Sequence, residues 1–225
     1  MLVELFGPPG AGKSTLTPLI VDWLRYAGHQ ARSVHITGYQ SLGGTPLSRR
    51  QMQWDRILAL TGQPYLAAEA ARCLTSEGTG LALSWLINLA RRNRAMQRLE
   101  QRDRATRAVT IVEEGPLSAL CLAGCAHKSA WNPNHLLKRI VLPEVAVYLS
   151  VDQEVANDRV QQRAGRFSQI PREELFQSAA KYLTYADALQ QQLPIPVLPI
   201  QSGEQAPREL ASRIASSLID RRPSE

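Results

Sequence analysis

The chain has 225 residues, of which 44% are hydrophobic and 20% charged, enough for one α/β domain with a full core and too few for a second of similar size. No apolar run reaches the roughly 18 residues needed to span a bilayer, and Cys73, Cys121 and Cys125 form an odd set without a CxxC pair, which argues against a secreted disulfide framework. Net charge is +6, and residues 91–107 carry seven arginines against Glu100 and Asp103, so +5 of the excess sits in one segment.

Residues 2–6 are a short apolar run opening directly into glycines, the pattern of a buried first strand. From Lys13 to about residue 27 the spacing becomes helical, with Leu16, Leu19, Ile20, Trp23 and Leu24 on one face and Gly28 as a stop. Pro18 removes one hydrogen bond early in that helix. Residues 31–36 read as a second strand, followed by a turn-rich stretch. Three helices are expected near 47–60, 64–76 and 80–104. A β-branched strand at 108–112 runs into Glu113-Glu114-Gly115-Pro116, and a helix near 117–125 follows. Residues 145–151 form the clearest later strand. Asp152 is placed to cap the next helix, which is expected to reach about residue 164. A long helix near 171–192, a proline-flanked edge strand at 196–200 and a terminal helix near 206–221 complete the order. Strands alternate with helices throughout, which predicts a mostly parallel sheet covered on both faces.

The segment Gly7-Pro8-Pro9-Gly10-Ala11-Gly12-Lys13-Ser14 matches G-x-x-x-x-G-K-[ST] between an apolar strand and an amphipathic helix. Glycines there let the backbone turn its amides inward, Lys13 is suited to reach phosphate oxygens, and the Ser14 hydroxyl is suited to Mg²⁺. Thr15 follows in the first helical turn. The expected ligand is a nucleoside triphosphate. Because the motif starts at Gly7, no space for a cleavable leader is expected ahead of it, and a cytoplasmic location follows as the default.

Neither N-K-x-D nor D-x-x-G occurs, which argues against a GTPase. Ser41-Leu42-Gly43-Gly44 lies too early to be a transporter-type signature, and the length leaves no lid domain for a ring-forming ATPase. Cys121 and Cys125, four apart with His127 beyond, match no zinc spacing and read as small buried thiols.

Three stretches resemble the P-loop kinases of the thymidylate-kinase and nucleoside-kinase type: the loop itself, the strand ending Val112-Glu113-Glu114-Gly115-Pro116, and residues 147–155 with the arginines beyond. The resemblance implies a three-layer α/β/α P-loop fold spanning 1–225, with a five-stranded parallel sheet in the order 2-3-1-4-5, a helical insertion at about 40–105 and a lid at about 159–172. It implies ATP and Mg²⁺ as cofactors and a small acceptor such as a nucleoside, nucleotide or sugar. Glu113 or Glu114 then acts as a base or a ligand to Mg²⁺-bound water, the competing reading being two exposed turn glutamates.

Arg159, Arg163 and Arg166, spaced four and three apart, share a helix face and would close over the triphosphate, unless they are a solvated face balanced by Asp158 and Glu154. Acceptor contacts are sought at Tyr39, Gln40, Arg49, Arg50 and Arg72, and along the stripe of Arg94, Arg98 and Arg102. Arginine outnumbers lysine 22 to 4, which weakens any single arginine as a signal. His35 is expected to be packed or hydrogen-bonded.

The sequence departs from the resemblance in two places. Residues 35–39 carry no carboxylate after the second strand, and Glu113-Glu114-Gly115-Pro116 lacks the Asp-Arg or Glu-Arg-Ser pair. A standard nucleoside is therefore not implied. The alternative is a nucleotide-dependent binding module that docks a partner through residues 91–107. Nucleic acid is not expected as that partner, since no interleaved aromatics accompany the arginines. A homodimer is left open.

Overall fold

The computed structural model describes residues 1–36, 58–76, 80–106, 108–126, 134–162, 172–203 and 205–221, with Ser48 and Gln51. The strands are β1 (Leu2–Phe6), β2 (Ala31–His35), β3 (Val109–Glu113), β4 (Val145–Val151) and β5 (Val197–Ser202). They form one parallel sheet in the order β2-β3-β1-β4-β5, as expected from the sequence. The helices are α1 (Lys13–Tyr26), α2 (Pro64–Ser76), α3 (Gly80–Thr106), α4 (Pro116–Ala126), the single turn α5 (Asn134–Leu137), α6 (Gln153–Gln161), α7 (Arg172–Gln192) and α8 (Pro207–Asp220). Among the described residues no helix is long and apolar enough to cross a membrane.

The two faces of the sheet follow from the period of two in each strand. Val3 and Leu5 of β1, with Val109, Ile111, Val147, Leu149, Leu198 and Ile200, pack on α1 and α8. Phe6, Ala146 and Tyr148 turn the other way, onto α3, α4 and α7. Leu2 and Val112 share that second face with Met96 and Leu99 of α3. The central strand β1 is buried along its whole length, so it reads as a continuous apolar run interrupted only by Glu4. β5, with Pro199 in it, lies at the sheet edge, and its bounds reach two residues beyond the expected strand.

Helix α1 buries Leu16, Thr17, Ile20, Val21 and Leu24. Trp23, expected on that face, is instead 41% exposed and meets Tyr26 edge-on, because the buried stripe turns toward Thr17 and Val21 and leaves position 23 at its margin. Asp152 caps α6 as expected, accepting from the amides of Glu154 and Val155. Cys121 is buried and Cys125 half-buried on α4, and desolvation pushes the Cys125 thiol up to about 11. Both are packed thiols.

Helix α3 runs antiparallel to the strands. Arg92 lies beside Glu114 and Gly115 at the C-terminal end of β3, while Asp103 pairs with Arg32 near the start of β2. A buried polar clamp fixes its height. Gln63 donates to the carbonyls of Ala59 and Ala90, and Asn93 donates to Tyr65 at 3.0 Å while accepting from Val141 N at 2.7 Å. Each amide side chain is satisfied on both ends, which makes the register of α3 costly to shift.

Candidate functional site at the C-terminal edge of the sheet

The glycine loop leaves β1 and turns at once into α1. Gly7, Gly10 and Gly12 all have positive φ, and Gly12 is the N-cap of α1 in a left-handed conformation with no side chain to cap the helix. The first-turn amides of α1 therefore face the concavity without a capping side chain. Lys13 folds back across the loop, its Nζ donating to Gly7 O at 2.7 Å and Pro8 O at 3.1 Å. Pro8, Gly10 and Ala11 are buried, whereas Pro9, Ser14 and Thr15 are exposed. The loop is thus anchored on its inner side and open on its outer one.

Glu113 ends β3, in register with Leu5 on one side and His35 on the other. Its side chain turns toward α1. Burial alone would raise its pKa, but the imidazole of His35 and the hydroxyls of Thr17 and Ser14 outweigh that and hold the carboxyl below the ordinary range. His35 Nδ1 lies 3.5 Å from its carboxylate and is in turn raised, first by that contact and against its own partial burial. The Thr17 hydroxyl, beside the carboxylate, donates to Lys13 O at 2.9 Å, tying that neighbourhood to the first turn of α1. His35 is a hydrogen-bonded residue, as expected, and its partner is the candidate acid.

Glu114 faces the opposite way. It is the non-glycine residue with positive φ, at 56°, among those described. Consecutive carboxylates face opposite sides of the strand end, as the period of two dictates, and the left-handed backbone at Glu114 costs about 1–3 kcal/mol. Arg92 meets Glu114 at 3.3 Å and Gly115 O at 3.4 Å, and its Nε is buried with no hydrogen-bond partner among the described residues. Behind it lies Glu4, fully buried in β1, which accepts from the amides of Leu117 and Ser118 at the start of α4. Desolvation pushes Glu4 up to about 7, opposed by those two amides and by Arg92. Gly115 is required here, because a Cβ would sit 2.5 Å from the Glu4 carboxylate. Tyr182 of α7, also fully buried, accepts a hydrogen bond from Gly7 N at 3.3 Å.

On the other flank of the loop a cavity of about 370 Å³ opens between Gly10, Gly12, Thr15, Arg159, Gln162, Gly203 and Gln205. Arg159 bridges its walls, donating to Gly10 O at 3.3 Å and Gly203 O at 3.5 Å. Ser202 at the end of β5 donates to Ala11 O at 2.9 Å. Leu16, Pro207 and Leu210 add apolar surface beside the amides of Gln162 and Gln205.

The sequence-derived site residues fall into three groups. Gly7 to Thr15, Glu113, Glu114 and Arg159 converge at one edge of the sheet. Arg94 is half-buried, and Arg98 is exposed about 9 Å along α3 from Arg92, in the direction of Asp103 and the other end of the strands. Tyr39, Arg49, Arg163 and Arg166 lie outside the described residues, as does the side chain of Arg72. Sequence reasoning missed Glu4, Arg92, Tyr182, Ser202 and Gln205. The carboxylate inside the apolar run of β1 was the one available signal for Glu4. Nothing in local spacing separates Arg92 from its six neighbouring arginines.

No protein-family model and no curated protein matches the chain.

Proposed function

We propose that the chain is a phosphotransferase of the P-loop kinase type, moving the γ-phosphoryl group of ATP to a small acceptor. The observation that carries this reading is the meeting of Lys13, Ser14 and Glu113: a cation spanning a glycine loop, an exposed hydroxyl at a helix start, and a low-pKa carboxylate beside that hydroxyl. A polyanion suits the helix start and Lys13, and the base of the nucleotide suits the cavity beside Arg159. Two hard oxygen donors, Ser14 and Glu113, fit Mg²⁺, with Glu113 acting through water. Bound there, Mg²⁺ would neutralise charge on the β- and γ-phosphates.

In this reading the loop amides and Lys13 hold the phosphates in place, and Glu113 keeps Ser14 oriented. Arg159 stays at the base side, and Arg163 and Arg166 are assigned to the lid. The test is ADP production by the full chain with Mg·ATP and a broad acceptor panel, alongside direct nucleotide binding. Lys13→Ala is expected to lower turnover on the order of 100-fold, as loss of one preorganised charge-stabilising donor does. Wild-type protein that fails to bind Mg·ATP or Mg·ADP would refute the proposal.

The second reading, a nucleotide-dependent module docking an acidic partner, draws on the exposed Arg98 and Arg102 of α3. It predicts that reversing both charges abolishes docking while nucleotide binding is kept.

A further inference from the structure

Side chains distant in sequence fix the peptides of the glycine loop. A planar trans peptide points its C=O and N–H in opposite directions, so holding one carbonyl also aims the amide of the next residue. Gly12 O accepts from Thr15 N and Leu16 N at 3.0 Å each, which locks the start of α1. Ala11 N donates to Pro8 O at 3.2 Å, which closes the turn before it. The Ala11–Gly12 peptide lies between these two fixed points. Its oxygen accepts from the Ser202 hydroxyl at 2.9 Å, a bond that spans 191 residues of sequence.

Packing at Gly12 does not hold that peptide by itself. Glycine adopts either sign of φ readily, and a Cβ at Gly12 would meet nothing within 4 Å. A concerted change of ψ at Ala11 and φ at Gly12 would turn the peptide over and aim a carbonyl where the amide now points. Ser202 opposes that rotation. It is buried, and it ends β5 in register with Val151 of β4. With Ala11 O drawn to this hydroxyl, the Gly12 N–H faces away from it, toward the open side of the loop where Ser14 and Thr15 are exposed. The preceding peptide is fastened in the same manner. Arg159 donates to Gly10 O at 3.3 Å and braces itself on Gly203 O at 3.5 Å, one residue beyond Ser202. Anion binding by a loop of this kind depends on amides aimed inward, and a peptide turned over would present an oxygen to the anion.

Resting on the phosphate-loop reading above, we propose that Ser202 is a positioning residue for the donor site: its hydroxyl presets the Ala11–Gly12 peptide with the N–H toward the phosphates, and Arg159 braces the peptide before it. The last residue of the edge strand thereby sets the affinity of a loop that leaves the central one. The chemistry recognised through this contact is the polyphosphate chain itself. Inorganic tripolyphosphate and a nucleoside diphosphate therefore depend on Ser202 alike.

Calorimetric titration of the full chain with Mg·ADP and with inorganic tripolyphosphate, well below the unfolding temperature, tests this. Ser202→Ala is expected to raise both Kd values by a similar factor, about three- to tenfold, as loss of one neutral hydrogen bond predicts. The free variant should also show a shifted or exchange-broadened Gly12 amide resonance that Mg·ADP restores. Unchanged Kd values for both ligands, whatever happens to the melting temperature, limit Ser202 to packing and overturn the proposal. So does a rise in both with the Gly12 amide unperturbed. A rise for Mg·ADP alone assigns Ser202 to the base cavity and overturns it too, as does wild-type protein that binds Mg·ADP but not tripolyphosphate. Wild-type protein that binds neither ligand sinks the donor-site reading, and this proposal with it.

Discussion

Gly10 and Gly12 have nearly the same φ, +85° and +87°, but for different reasons. At Gly10 a Cβ would lie 2.4 Å from the backbone oxygen of Ala156, so α6 packs directly against the loop. At Gly12 nothing lies within 4 Å, and only the left-handed backbone excludes a side chain. Gly12→Ala should therefore cost about 1–2 kcal/mol. Gly10→Ala should cost more and also displace α6 together with Arg159. Chemical denaturation of the two variants, with nucleotide affinity measured in parallel, checks the order. The motif made these positions legible in the sequence, along with Lys13 and Ser14. It could not say which glycine is constrained by a neighbour, because that neighbour lies about 145 residues away in the chain. Arg92 and Glu4 were illegible for a related reason: an ionisable side chain becomes a buried partner only once the sheet and α3 are assembled.

At the level of elements, strand and helix identity was readable nearly throughout, because apolar periodicity and caps such as Asp152 are local signals. Faces were less readable. The helical stripe places the Trp23 ring inward, and tertiary packing turns that stripe one position aside. The arginine repeat of α3 draws attention to the stripe of Arg94, Arg98 and Arg102, and Arg92 of the same helix reaches the strand ends. Helix α7 shows the long-range counterpart, since its Tyr182 hydroxyl receives the Gly7 amide. Tyr182→Phe removes that acceptor and keeps the ring, leaving a buried N–H unpaired at a cost of about 1–3 kcal/mol. If the bond sets the entry of the loop, the dissociation constant for Mg·ADP should rise about tenfold, read by calorimetry well below the unfolding temperature. A variant that melts earlier but binds Mg·ADP normally would limit Tyr182 to a packing role.

For the whole molecule, Glu4 links stability to pH. Its pKa in the folded protein is about 7 against 4.5 in the unfolded chain, so the unfolded state loses this proton first as pH rises. The contribution of Glu4 is full below pH 4.5, declines between 4.5 and about 7, and is then flat. Its size, from 1.36 kcal/mol per unit, is about 3 kcal/mol. Glu113 has the opposite sign: its lowered pKa gives stability above the unfolded value that is lost as pH falls through the folded one. Glu4→Gln should flatten the stability profile between pH 5 and 7 and leave the acid limb set by Glu113 in place. Denaturant midpoints across that range test it. The sheet order was legible from the alternation of elements and the resemblance together, but the wiring of charge beneath the sheet was not. It depends on which residues of β1, α3 and α4 come to share one dry space.

The central position of β1 has a consequence for how the chain is made. β1 leaves the ribosome before β3 and β4, the strands it pairs with, and its loop waits for Tyr182 and Ser202. The residues that carry the motif are thus synthesised well before the residues that complete their surroundings. A nascent chain ending before β5 carries the entire glycine loop without the wall that β5 adds to its cavity. Under the kinase proposal, premature nucleotide capture during synthesis is thereby disfavoured by topology, since residues 7–11 depend on Tyr182 and Ser202.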